Sequence, residues 1–490
     1  MTSLDTPRQK NIALALLAMT QFIIIIDASI VNVALPTIGK ALHFSQDNLS
    51  WVVNAYILTF GGFLLLGGRL ADLMGRRRMF IVGLIVFSLA SLAGGLAQSD
   101  TWLIIARAFQ GFGAAIVSPA ALSIITTTFA EGSERNRALG VWGAVAGAGG
   151  AAGVLLGGIL TDGLGWEWVL FVNVPIGLAA AWLAPRLLVE SHAEDGTSSF
   201  DLPGAVTVTA GLALLVYALV DAVNAGWTSG ATLERAGGAV ALLAAFVVIE
   251  SRQREPIMPF TIFRLRTLRG ANIVGLLVGM SLFSMFFFIS LYMQQVLGYS
   301  ALKAGVAYLP LSVAIILSAG AASQLVTKIG FKTSLIIGTL FIAAGLAWFS
   351  QVSAGGSFLS DVLGPSVLAA IGLGMSFVPV TIAAVTGTKP HEAGLASGLI
   401  NTSQQVGGAL GLAILASIAN STTKDAMQAS HGANHKVALT SGFHDAFLTG
   451  SGFALLAALL AAVLISSKDS REHAAAAQAD GGGTAVAVAA

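Results

Sequence analysis

Apolar segments of roughly 20 residues recur along this chain almost without a break, and nothing else in the sequence restricts its fold as much. About fourteen such segments are centred near residues 23, 59, 88, 114, 148, 179, 212, 243, 283, 312, 342, 374, 406 and 456. Each has the length a helix needs to cross a bilayer, where a helix satisfies its own backbone without water. No soluble core could absorb them. The chain is 56% hydrophobic and 10% charged, against about 25% charged in soluble domains. The expected class is an all-α polytopic membrane protein. Arg8 and Lys10 precede an apolar stretch, as in a secretory leader. That stretch is too long, contains Asp27 and lacks a small-residue cleavage pattern, so it reads as a retained first helix.

The placement of lysine and arginine orients the spans. With the N-terminus inside and the segments alternating, nineteen of the 25 fall on the inner side and five on the outer, with Arg107 left within a helix. Such a bias fixes topology and predicts that both termini are cytoplasmic. The chain has no cysteine, which excludes disulfides and thiolate metal sites.

The stretch "ERNRALGVWGAVAGAGGAAG" (Glu134 to Gly153) recurs as "EAGLASGLINTSQQVGGALG" (Glu392 to Gly411). At one offset Gly140 meets Gly398, and Gly149, Gly150 and Gly153 meet Gly407, Gly408 and Gly411. "LADLMGRR" (Leu70 to Arg77) has a weaker echo in "LVTKIGFK" (Leu325 to Lys332). A parallel duplication of this kind relates the two halves of many transporters. It divides the chain into an N-terminal six-helix bundle over 1–190, a linker over 191–270 carrying two extra transmembrane helices, and a C-terminal six-helix bundle over 271–467. The Ala/Gly-rich residues 468–490 are expected to be a disordered cytoplasmic tail.

Asp27 is a lone carboxylate within the first apolar segment. An aspartate at the centre of a membrane helix costs about 2.5–3.5 kcal/mol on insertion scales, so it marks a function or a fixed ion pair. Arg107 falls at a similar depth on the fourth span and is its expected partner. The two are the candidate proton-coupling residues. A fixed pair, or an arginine snorkelling outward, is the plainer reading of each. Polar and aromatic candidates for lining a substrate cavity are Gln21, Asn32, Asn54, Tyr56, Gln110, Phe286, Tyr292, Gln294, Asn401 and Gln404. The inner loop "GRLADLMGRRR" supplies a candidate cytoplasmic gate in Gly68, Arg69, Asp72, Gly75, Arg76 and Arg77. It reads otherwise as a positive-inside anchor. Gly149, Gly150, Gly153, Gly157 and Gly158 on the fifth span allow close helix approach. His431, His435 and His444 read as solvated loop histidines rather than as a metal site. No phosphate-binding loop, nucleophile triad or zinc spacing is present, so neither enzyme chemistry nor ATP-driven transport is expected.

These segments together resemble the major facilitator superfamily, specifically its fourteen-helix drug:proton antiporter branch. "DASIVNVALP" resembles the branch's helix 1 signature, "GRLADLMGRRR" the loop between helices 2 and 3, and "RAFQGFGAA" the helix 4 motif. "GVLLGG" resembles the end of the helix 5 antiporter motif, and "WEWVLFVNVPIG" the turn into helix 6. Val154 stands where that motif usually has proline, Leu73 where the loop usually has a basic residue, and Glu167 where arginine is usual between the tryptophans. The resemblance implies proton-driven efflux of small lipophilic or cationic drugs by alternating access in the cytoplasmic membrane. It implies protons as the coupling ion, no cofactor, a small-molecule substrate, the lipid bilayer as surroundings, no nucleic acid, and function as a monomer. A proton-coupled importer on the same fold and a non-transporting membrane sensor or subunit remain the alternatives.

Overall fold

The computed structural model describes residues 6–129, 133–191, 201–253, 256, 260–388, 393–429 and 434–475. Within these ranges some helical side chains are not described, among them Arg69, Asp72 and most of 133–148. Every regular element described is helical. The first half runs α1 (Pro7–Ala41), α2 (Gln46–Leu49), α3 (Trp51–Met74), α4 (Arg76–Gly95), α5 (Asp100–Thr128), α6 (Ser133–Gly163), α7 (Trp168–Phe171) and α8 (Asn173–Leu187). Then come α9 (Leu202–Ala225), α10 (Gly230–Arg252), α11 (Arg266–Leu291), α12 (Ala301–Ala307), α13 (Leu309–Phe349), α14 (Gly364–Val385), α15 (Ala393–Ala429) and α16 (His435–Leu464).

Among the described residues, eleven helices are long and apolar enough to cross a membrane. The other three expected segments carry shorter apolar helices, at Trp51–Leu64, Ala152–Gly163 and Pro203–Leu219. Large apolar side chains such as Leu89, Phe109, Trp182 and Leu317 stand exposed, as suits helices whose outer surroundings are acyl chains.

Local chemistry sets the helix ends. The first begins in a capping box, with Thr6 accepting from the Gln9 amide and Pro7 at the first turn. The α3–α4 turn needs a residue with positive φ, and Gly75 supplies it at φ 106°. Its counterpart in the sequence echo, Gly330, kinks α13 at φ 80°.

The contacts divide the chain into two units, Met1–Pro259 with Ser290–Leu309, and Phe260–Ile289 with Pro310–Ala490. The duplication is repeated in the packing within each. In the first, a Cβ on Gly113 would meet Phe87 N at 2.6 Å and Gly83 O at 2.9 Å. In the second, a Cβ on Gly372 would meet Ile342 N at 2.5 Å and Gly338 O at 2.6 Å. The helix-turn caps echo each other too. Glu190, just past α8, accepts from the amides of Arg77 (3.0 Å) and Arg78 (3.2 Å). Ser470, just past α16, accepts from the amide of Lys332 (3.1 Å).

The extra pair α9–α10, expected within the linker over 191–270, groups with the first unit. Thr209 of α9 crowds Gly62 of α3, the Trp51 and Tyr217 rings lie 6.3 Å apart, and Arg235 pairs with Asp221 between α9 and α10. The tail is not disordered from 468. Residues 467–475 are helical, because Ser466 caps the Asp469 amide, Thr267 bonds Asp469 and Ser470 holds the Lys332 turn. Residues 476–490 lie outside the described residues.

Candidate functional site

Asp27 and Arg107 meet inside the first unit. Arg107 Nη1 donates to Asp27 Oδ2 at 2.6 Å, and the side chains are 1% and 0% exposed. Three further contacts fix the arginine. Nη1 also donates to Gln110 Oε1 at 2.7 Å, Nε donates to the Val52 carbonyl at 3.1 Å, and Cζ lies 4.3 Å from the centre of the Tyr56 ring. A guanidinium over an aromatic face gains from the ring quadrupole, most of all when dehydrated.

The other carboxylate oxygen is held by neutral amides. Asp27 Oδ1 accepts from Gln110 Nε2 at 2.7 Å and from Asn173 Nδ2 at 2.8 Å. Both amides also donate to Ser91 Oγ, at 3.0 and 3.1 Å, and Ser91 donates to the Leu170 carbonyl at 2.8 Å. Every partner of the carboxylate is a donor, the pattern of an acceptor-only group. A buried charge is tolerated only when it is paired and hydrogen-bonded, and this site meets both conditions. Four membrane helices and the α7–α8 corner converge here. The burial closes Asp27 to water in this conformation.

Two expected cavity residues lie in the Asp27 network: Gln110 is fully buried and Tyr56 1% exposed. Asn32, Tyr292 and Gln294 also lie in the first unit. Gln294 Nε2 donates to the Val33 carbonyl at 2.9 Å, and Ser290 Oγ to that of Asn32 at 2.7 Å. Tyr292 is wholly buried. Gln21 Oε1, Asn32 Oδ1 and both side-chain polar atoms of Asn54 are buried without a hydrogen-bond partner. Phe286, Asn401 and Gln404 belong to the second unit. Phe286 is half-buried and Asn401 exposed, and Gln404 is buried with Nε2 unpartnered.

In the candidate gate, Gly75 makes the turn. The Arg76 amide donates to the Ser191 carbonyl at 3.0 Å, and Arg77 Nη1 to that of Leu188 at 3.2 Å. Gly68 lies against Pro119. The side chains of Arg69 and Asp72 lie outside the described residues.

The glycines of α6 serve two helices. A Cβ on Gly149, Gly153 or Gly157 would strike Ile25, Ser29 or the Ile30 carbonyl of α1, at 3.0, 1.9 and 2.7 Å. A Cβ on Gly158 would strike Ala301 O at 2.7 Å, and one on Gly150 would meet nothing within 4 Å. Near the end of the same helix, Asp162 accepts from the amides of Ala301 and Leu302 at 3.2 and 2.9 Å. His431 lies outside the described residues, and His444 bonds the Val352 carbonyl.

Asn173, Ser91, Glu190 and Asp162 are contributors that sequence reasoning missed. Asn173 lies within the quoted "WEWVLFVNVPIG", the one signal that pointed toward it.

A sequence model described as Major Facilitator Superfamily matches residues 17–412. The chain is 42% identical over 456 residues to the cephamycin export protein CmcT of Amycolatopsis lactamdurans, covering 92% of each chain. It is 38% identical over 461 residues to the puromycin resistance protein pur8 of Streptomyces alboniger, covering 93% of this chain and 91% of that one. The crystal structure of a bacterial homolog of the human lysosomal transporter Spinster, inward-facing and unoccupied, superposes with a TM-score of 0.68. It is 16% identical and covers 95% of this chain and 98% of that one, a likeness of fold.

Proposed function

This chain belongs to the major facilitator superfamily, and from that premise we propose that it is a proton-driven exporter of small organic molecules, antibiotics among them. The export direction rests on relatives named for export of cephamycin and resistance to puromycin. The coupling rests on one observation, the dehydrated Asp27–Arg107 pair. Asp27 takes a proton when the site opens to the outer side and Arg107 withdraws. It loses that proton to the cytoplasm as substrate enters, because proton and substrate compete for the same protein state.

The energetics suffice. One charge moved through 100 mV yields about 2.3 kcal/mol, and a tenfold concentration ratio costs about 1.4 kcal/mol. One net charge per cycle therefore sustains an outside excess above tenfold. A monovalent cation exchanged for one proton moves no net charge, so only the pH difference drives it.

Everted vesicles test the reading, with puromycin and ethidium as probes. Addition of a transported probe is expected to dissipate a preformed acid-inside pH gradient, and Asp27→Asn to abolish that response. A folded Asp27→Asn protein that dissipates the gradient at the normal rate rules out Asp27 as the coupling acid.

A further inference from the structure

Asp27 is held on one side by a closed ring of hydrogen bonds whose far corner is Ser91. Each of Gln110 and Asn173 spends one amide hydrogen on Asp27 Oδ1 and the other on Ser91 Oγ. Ser91 gives its own hydrogen to the Leu170 carbonyl. A hydroxyl has one donor and two acceptor positions, so Ser91 is saturated.

The chemistry of the partners fixes the direction of both amides. Gln110 must turn its oxygen to Arg107, which only donates. Asn173 must turn its nitrogen to the carboxylate. The two oxygens of Asp27 are therefore unlike. Oδ1 is bound by two neutral donors that are themselves tied to a third group. Oδ2 is bound by Arg107, the one charged partner.

We infer that Ser91 is a positioning residue that decides which oxygen of Asp27 takes the proton. When Arg107 withdraws, a hydronium ion gives a proton to Oδ2: one of its O–H bonds breaks as the Oδ2–H bond forms, and a water molecule is left. Oδ1 stays a carbonyl oxygen accepting two hydrogen bonds. On release the proton returns to water, and Arg107 donates to Oδ2 again. Among the described residues, the charged and titratable side chains facing Asp27 are Arg107 from α5 and Tyr56 from α3. Ser91 from α4 and Asn173 from α8 are neutral, and α6 presents glycines to α1. The inference rests on the proton-coupling reading above.

Acid-minus-neutral infrared difference spectra of the purified full-length protein test it. A protonated-carboxyl C=O band that disappears in Asp27→Asn is expected at low frequency, because its carbonyl oxygen accepts two hydrogen bonds. Ser91→Ala removes the acceptor that ties both amides at their far side, so their hydrogen bonds to Oδ1 loosen; it is expected to move that band to higher frequency, and Ser91→Thr to return it toward wild type. An unmoved band in Ser91→Ala overturns the inference. If Ser91→Ala does not fold, Ser91→Cys puts a weak acceptor in the same place and is read the same way: an upward shift supports the inference and an unmoved band overturns it. A folded wild-type protein with no Asp27-dependent band overturns the proton-coupling reading instead, so the two failures are distinguishable.

Discussion

Arg107 and Asp27, 80 residues apart in sequence, form a 2.6 Å ion pair that water does not reach. Removing one partner from a buried pair leaves an uncompensated charge, at a cost of about 3–5 kcal/mol. Replacing both with apolar residues of similar volume removes the dehydration cost along with the attraction. The double variant Asp27→Leu/Arg107→Met is therefore expected to be more stable than Arg107→Met alone, although inactive in transport. Thermal unfolding of the purified proteins in detergent measures the order. A double variant less stable than both singles contradicts the account.

Arg107→Lys tests geometry rather than charge. Arginine reaches Asp27, Gln110 and the Val52 carbonyl from a planar fork, and an ammonium cannot reproduce that fan. The expected outcome is a protein that folds with reduced stability and loses most proton-coupled transport in everted vesicles. Near-normal coupling in Arg107→Lys means that positive charge alone suffices.

Glu190 caps the start of α4 by accepting the amides of Arg77 and Arg78, where the helix dipole also favours a negative group. Loss of such a cap costs about 0.5–2 kcal/mol. Glu190→Ala is expected to accelerate hydrogen exchange at those two amides, with Glu190→Gln showing a smaller effect. Unchanged exchange in Glu190→Ala shows that water already serves those amides.

Why Asp27 and Arg107 were legible while Asn173, Ser91 and Glu190 were not is a matter of cost. A charge in an apolar span is expensive enough to stand out in any reading, and the opposite direction of two helices places both groups at one depth. Serine and asparagine cost far less in a membrane helix and are common, so nothing in sequence separates Ser91 from its neighbour Ser88. Their role depends on the rotation of α4 and α8 relative to α1, which is settled by packing. Glu190 lies more than 110 residues from the amides it caps, beyond any local capping pattern. The duplication was legible because close helix approach demands glycine, and at the shared offset Gly153 and Gly411 both lie against the backbone of a neighbouring helix. The helix at 467–475 was hidden because its anchors, Thr267 and Lys332, come from distant elements.

The α6 glycines yield a contrast that separates packing from composition. A methyl at Gly153 would lie 1.9 Å from Ser29 Oγ and 2.8 Å from the Ile26 carbonyl, and one at Gly157 2.7 Å from the Ile30 carbonyl. The serine hydroxyl is able to turn aside, but backbone carbonyls in a packed helix are not. Overpacking of this kind costs about 1–3 kcal/mol. At Gly150 the same methyl meets nothing within 4 Å, and replacing a mid-helix glycine there removes unfolded-state freedom worth about 0.5–1 kcal/mol. Gly153→Ala and Gly157→Ala are therefore expected to lower the melting temperature, whereas Gly150→Ala leaves it unchanged or raises it. The three substitutions change composition identically, so equal losses at all three positions mean that the α1–α6 approach is not what the motif secures. A loss confined to Gly153 and Gly157 places that approach among the contacts that hold α1, and with it Asp27, in register.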